Sequence, residues 1–289
     1  MHGLSPGMRA ATRALACMAA AAALAGCAGD NSGFTWGWHV VSPYTPRGQN
    51  NLRFLAEGFG LTIALSLATL ALSLGLGLVV ALLGLSGWAP FARLAPPIRR
   101  DASRVEQEAS PMARIARWRP LGTINRLYVE VFRSIPMLVM ILWVFYGIPT
   151  VTGLQLSVFT AAMIAIAVCD SAFEAEIFRG GIQSIEPGQW EGARAIGMTP
   201  AQAMRRVILP QAVRRMLPAL TNRAIEIFKM TTLASAIAYV ELLQQGRLIA
   251  SLNFNPIEAY TAIAILFFCC LWPLVRLTYL LERRLARSD

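Results

Sequence analysis

Two long stretches of this chain carry no charge: from Gly58 to Ala92, and again from Ser134 to Cys169, there is no Asp, Glu, Lys or Arg. A helix of about 20 apolar residues crosses the hydrocarbon of a bilayer. Inside that hydrocarbon a segment must satisfy its own backbone groups, which a helix does. The chain is therefore expected to be all-α, a polytopic bundle of membrane helices. Composition agrees, with 56% hydrophobic and 15% charged residues, where soluble domains carry about 25% charged.

Punctuation divides the apolar runs into about five spans. The first covers residues 60–85. Gly77 and Ala81 stand four apart there, as do Gly75 and Val79, a spacing that lets helices approach closely. Pro149 and Gly153 split the second run into spans at about 128–148 and 156–173. A weak span at 224–240 contains Glu226 and Lys229, residues 241–258 form a polar link, and 260–281 make the last crossing. Trp36, Trp38 and Tyr44 precede the first span and suit an interfacial belt. Glu130 and Arg133 are three apart and can face each other on a helix.

The net charge of +10 is carried by arginines lying between the apolar runs. Eight fall in 93–126 (Arg93, Arg99, Arg100, Arg104, Arg114, Arg117, Arg119 and Arg126) and seven in 174–223, with more at the C-terminus. The links near 149–155 and 241–258 hold only Arg247. Basic loops stay in the cytoplasm. This predicts a multi-pass membrane protein with its N-terminus outside and its C-terminus in the cytoplasm. No groove-entering module is visible, so nucleic acid is not an expected partner.

Residues 1–27 read as a signal peptide: Arg9 and Arg13, an apolar core from Ala14 to Ala23, then Leu24-Ala25-Gly26-Cys27. The core is short for a permanent span. The ending resembles a lipoprotein box, which implies lipidation of Cys27. A plain secretory signal, an uncleaved anchor and a misplaced start codon remain alternatives. Residues 28–55 are expected in the periplasm.

Between the third and fourth spans, residues 187–210 are built differently. Pro187 suits a first helical position, Gly197 a C-terminal stop. Thr199-Pro200-Ala201-Gln202 reads as a fresh start with a capping box, and Pro210 ends or bends the second helix. Ala193, Ile196, Met204, Ile208 and Leu209 are apolar; Arg194, Arg205 and Arg206 are not. A helix pair this short is marginal alone. It must pack on the spans, lie along lipid headgroups with arginine on phosphate, or dock on another protein.

The stretch EGARAIGMTPAQAMRRVILP resembles the cytoplasmic EAA loop of permease subunits in bacterial ABC importers. Glu191, Ala193, Gly197, Leu209 and Pro210 stand in register, while Gly192 and Val207 depart from the pattern. From about Leu52 to Leu285, including YVEVFRSIPMLVMILWVFYGIP and the later KMTTLAS, the chain is similar to the polar amino acid permeases. The resemblance implies a type I importer permease domain over 56–285. It implies that the loop, with Glu191, Gly192, Ala193, Gly197, Met198, Thr199, Leu209 and Pro210, couples to a cytoplasmic ATPase. It also implies a second permease, identical or a sister, and a periplasmic amino acid binding protein. It further implies a place in the bacterial inner membrane, N-terminus periplasmic and C-terminus cytoplasmic, with membrane lipid around the assembly.

The chain itself is not expected to be an enzyme. A phosphate-binding loop needs G-x-x-x-x-G-K-[ST], and the only Lys, Lys229, has no glycine beside it. No hydrolase or zinc motif occurs, and no metal is expected; ATP and Mg belong to the partner ATPase. Ionisable residues within spans are candidates for the substrate pathway: Asp170, Glu226 and Lys229, the last two able to pair. Arg133, Glu174 and Glu176 are expected at the cytoplasmic lip. The competing reading is a membrane anchor or assembly protein that binds partners through its Arg-rich loops.

Overall fold

A computed structural model describes residues 36–85 and 120–285. The leader with Cys27 and most of the segment 93–126 lie outside the described residues. The chain forms two units, Met1–Trp38 and His39–Asp289. In the first, the rings of Trp36 and Trp38 stack at 5.9 Å. The described elements of the second are helical.

Helix α1 spans Pro46–Leu85. It begins well before the expected residue 60, because Thr45 caps it: Gly48 N–H donates to Thr45 Oγ1 at 3.1 Å. Its 40 residues make a rod of about 60 Å, twice the thickness of the hydrocarbon. The inner face is a stripe of small and hydroxyl side chains, among them Thr62, Ser66, Thr69, Ser73, Gly77 and Ala81. Apolar burial gives little drive between helices already in lipid, so close backbone packing takes its place. Gly77 supplies it. A Cβ there would lie 2.8 Å from the Glu174 Cβ and 3.0 Å from the Ser171 carbonyl oxygen. Gly75 faces open space.

Helix α2, Pro120–Ser134, and the following helical segment meet at 101°. The expected single span at 128–148 is thus broken. Pro136 removes a backbone donor and disfavours helix at Ile135, and Pro136 itself is extended at φ −58°, ψ 132°. Beyond it α3 (Met137–Leu142), a wide π-turn (Trp143–Gly147) and α4 (Ile148–Thr152) run on to Gly153, whose φ of 73° closes the helix. The π-turn stands just before Pro149, which lacks the N–H for a regular turn.

Helix α5, Val158–Gln183, is capped by Ser157. It continues ten residues past the expected end at 173. Of its apolar stretch 61% is buried, against 28% for α1 and 11% for Pro256–Leu280, which makes α5 the interior helix. Ala161, Ala162, Ala165, Ile166 and Leu65 form the main core with Ile141 and Val144.

After α6 (Pro187–Ala195) and α7 (Pro200–Ala203), a π-turn at Met204–Ile208 leads directly into α8, Leu209–Met230. Pro210 therefore neither ends nor sharply breaks the helix. The wide turn before it absorbs the missing donor. Helix α8 stops at Met230 and a 3₁₀ stretch, Thr231–Ile237, follows, so 224–240 is not one continuous span. The expected polar link at 241–258 folds as α9, Leu242–Asn253. Glu241 caps it, accepting from the N–H of Leu243 and of Gln244 at 2.9 Å each. Helix α10 is Pro256–Leu285. Among the described residues, three helices (α1, α5 and α10) are long and apolar enough to cross a membrane, and the bent pair α2 with α3–α4 makes a fourth if taken as one.

Candidate functional site

The loop from Pro187 to Pro210 is the most explicit local structure in the chain. Helix α6 ends in a Schellman turn: Met198 N–H donates to the Ala193 carbonyl at 3.1 Å, and Gly197 N–H to that of Arg194 at 3.0 Å. The turn requires a left-handed residue, and Gly197 has φ 78°. Helix α7 starts with both bonds of the capping box. Gln202 N–H donates to Thr199 Oγ1 at 3.3 Å, and Thr199 N–H to Gln202 Oε1 at 2.9 Å.

The faces of this loop divide sharply. Ala193, Ala203 and Ile208 turn inward, while Glu191, Gly192, Gly197, Thr199, Leu209 and Pro210 are exposed and Met198 is half-buried. Ile196 is 73% exposed at the turn. An apolar side chain this exposed, beside two glycines with no atom within 4 Å of where a Cβ would stand, makes a protruding apolar edge. Ile196 was legible as apolar, but its outward direction depends on the Schellman geometry.

The inner face is anchored. Ile185, Ile208, Ala212 and Met216 form a buried cluster with Trp190 and Met204 packed on it. Gln211 donates to Gln189 Oε1 at 3.2 Å, and Arg215 donates to the Ser184 carbonyl. Gly181 admits Met216 so closely that a Cβ would stand 2.0 Å from its Cγ. The loop is thus fixed to the end of α5 and to α8, and its backbone stays helical from Pro200 to Met230.

The second feature is a polar cluster between α5 and α8. Asp170 is fully buried and accepts from Arg223. Arg223 also donates to Glu226, and its guanidinium lies 4.4 Å from the centre of the Phe173 ring. Arg133 lies 5.1 Å from the same ring, rather than pairing with Glu130. Glu226 takes Arg223 as its partner, so the expected Glu226–Lys229 pair does not form. Lys229 is exposed, on the same helix face as Asn222 and Glu226.

Glu174 is buried completely inside the protein. Its Oε1 accepts from Ser73 Oγ at 3.1 Å. Neighbouring Ser171 shares a 2.7 Å hydrogen bond with the Tyr128 hydroxyl. Glu176 is held by Arg179 at 2.6 Å. Among the described residues no group of His, Cys, Asp and Glu is arranged to hold a metal ion.

The described residues form a bundle of apolar helices with an anchored, exposed helix-turn-helix, and the sequence holds no G-x-x-x-x-G-K-[ST] loop. Comparison with known proteins supplies the family. Residues 109–287 match the model of the binding-protein-dependent transport system inner membrane component, and the chain belongs to that family. It is 35% identical over 195 residues to the probable glutamine ABC transporter permease protein GlnM of Bacillus subtilis (strain 168), covering 68% of this chain and 90% of that protein. It is 38% identical over 150 residues to the probable amino-acid permease protein YxeN of the same organism, covering 51% and 67%. Among solved structures, a crystal structure of an amino acid ABC transporter with histidines aligns at a TM-score of 0.67 and 31% identity, covering 82% of this chain and 96% of that one. The chain is an ABC importer permease subunit of the inner membrane; the anchor-protein alternative is not favoured.

Proposed function

We propose that this permease subunit carries a polar amino acid inward, and that Pro187–Pro210 is the coupling loop through which a separate cytoplasmic ATPase drives it. The observation that carries this reading is mechanical. The exposed edge at Ile196–Gly197 is braced by the Schellman turn and capping box, and from Pro200 onward the chain stays helical into α8. Glu191, Gly192, Ala193, Gly197, Met198, Thr199, Leu209 and Pro210 form or support the docking surface. The relatives' names support an amino acid as cargo. A periplasmic binding protein delivers it, ATP and Mg are bound by the ATPase, and a second permease completes the path. The N-terminus is periplasmic, the C-terminus cytoplasmic, and Cys27 is a lipidation site if the leader is of the lipoprotein type.

Within the pathway we assign the exposed face of α8, with Glu226 and Lys229, to contact with the zwitterionic cargo. Asp170 contributes through Arg223, since its carboxylate is already engaged. Reconstitution tests this. Proteoliposomes holding permease, ATPase and binding protein should hydrolyse ATP faster when the binding protein is loaded. Lys229→Ala should raise the KM for uptake by about tenfold, the value of a lost charged contact of 1–2 kcal/mol, with insertion unchanged. Uptake kinetics equal to wild type would remove Lys229 from the path.

A further inference from the structure

We propose that the Asp170–Arg223 ion pair is a positioning element that makes α5 and α8 move as one body, so that force received at the loop reaches the core. The inference rests on the reading of Pro187–Pro210 as the coupling loop. A helix rises about 1.5 Å per residue. The lever from Pro200 to Arg223 therefore carries a displacement about 35 Å from the loop. At the near end α8 is held to α5 by the Met216–Gly181 contact and the Ile185–Ile208 cluster. At the far end the polar tie is Arg223 to Asp170, 53 residues apart in sequence.

The pair is built to hold. Asp170 is 0% exposed and Arg223 13%. The guanidinium is fixed on its flat side by Phe173 and on another edge by Glu226. Arginine's fork and plane allow these contacts at once. Removing one partner from a buried pair leaves an uncompensated charge, so α8 cannot slide along α5 without a large penalty. Asp170 Oδ2 and Arg223 Nε have no hydrogen-bond partner, which leaves one hydrogen bond between the carboxylate and the guanidinium. Helix α5 then passes the motion to α1 through the Gly77 approach and the Ser73–Glu174 bond.

The test uses the complete reconstituted complex. Single changes Asp170→Asn or Arg223→Gln risk misfolding through a lone buried charge, so the double variant D170N/R223Q is the main arm. It should assemble with the ATPase and keep the thermal stability of wild type. Cargo moved per ATP hydrolysed should nevertheless fall by about tenfold, the scale of a lost coupling interaction, and hydrolysis without binding protein should rise. Arg223→Lys, which keeps the charge, should retain most of the coupling. A purely structural pair predicts that the neutral double variant couples as wild type, and that result would overturn the proposal. So would equal loss in Arg223→Lys and the double variant. A wild-type complex without binding-protein stimulation of hydrolysis would overturn the proposed function, and this proposal with it.

Discussion

Gly197→Asp should abolish uptake while leaving the protein in the membrane at near-normal levels. Two effects act, and they differ in size. At φ 78° any side chain costs about 1 kcal/mol, and Asp tolerates this region better than most residues. The turn therefore survives, and the space around Gly197 is open. The larger effect is at docking. The new carboxylate would stand beside Ile196 on a surface meant to be covered. An unpaired charge buried there costs about 3 kcal/mol, a loss of roughly a hundredfold in binding. Gly197→Ala separates the two, since it carries the backbone cost alone and should keep part of the uptake. Radiolabelled amino acid uptake, normalised to permease level in the membrane, gives the answer. Wild-type uptake by Gly197→Asp would remove this turn from the coupling surface.

Gly77→Leu should cost the bundle itself. Here the neighbours are the Glu174 Cβ and a main-chain carbonyl, and neither can swing away as a flexible side-chain tip would. Overpacking a tight core costs about 1–3 kcal/mol even where neighbours can adjust. Parting α1 from α5 would also break the Ser73–Glu174 hydrogen bond. Gly75→Leu is the matched control, two residues away on the same helix with nothing within 4 Å. In detergent, the Gly77 variant should aggregate or unfold at least ~5 °C below wild type, and the Gly75 variant should match it. Equal stability of the two variants would mean that α1 and α5 do not depend on this close approach.

What the sequence made legible follows from the range of each rule. The charge-free runs located α1 and α5 because span length is a local property. The capping box at Thr199–Gln202 and the stop at Gly197 formed as expected, since caps depend on a few consecutive residues. The expectations fail where a wide turn, a kink or a distant partner decides the matter. Pro210 is expected to end or bend the helix, and the π-turn at Met204–Ile208 carries the helix past it. Pro136 turned a supposed single span by 101°. The burial of Glu174 is not legible locally, since charges usually avoid the interior. Its burial depends on Ser73 and Gly77 of α1, far earlier in the chain. Likewise Asp170, a candidate for the substrate pathway, has a partner that its local sequence does not reveal, Arg223 of α8. The polar link after 240 folds as a helix capped by Glu241, where Ser, Thr, Asp or Asn is the usual signal.

The central claim is that the edge at Ile196–Gly197 faces the cytoplasm and is covered there by a separate ATPase. Labelling Ile196→Cys with a membrane-impermeant maleimide tests it directly, in a background with the native cysteines replaced. In intact spheroplasts the position should stay unlabelled. In inside-out vesicles stripped of the ATPase it should label readily, and returning the ATPase should shield it. Labelling from the periplasmic side, or no shielding when the ATPase is returned, would contradict the account.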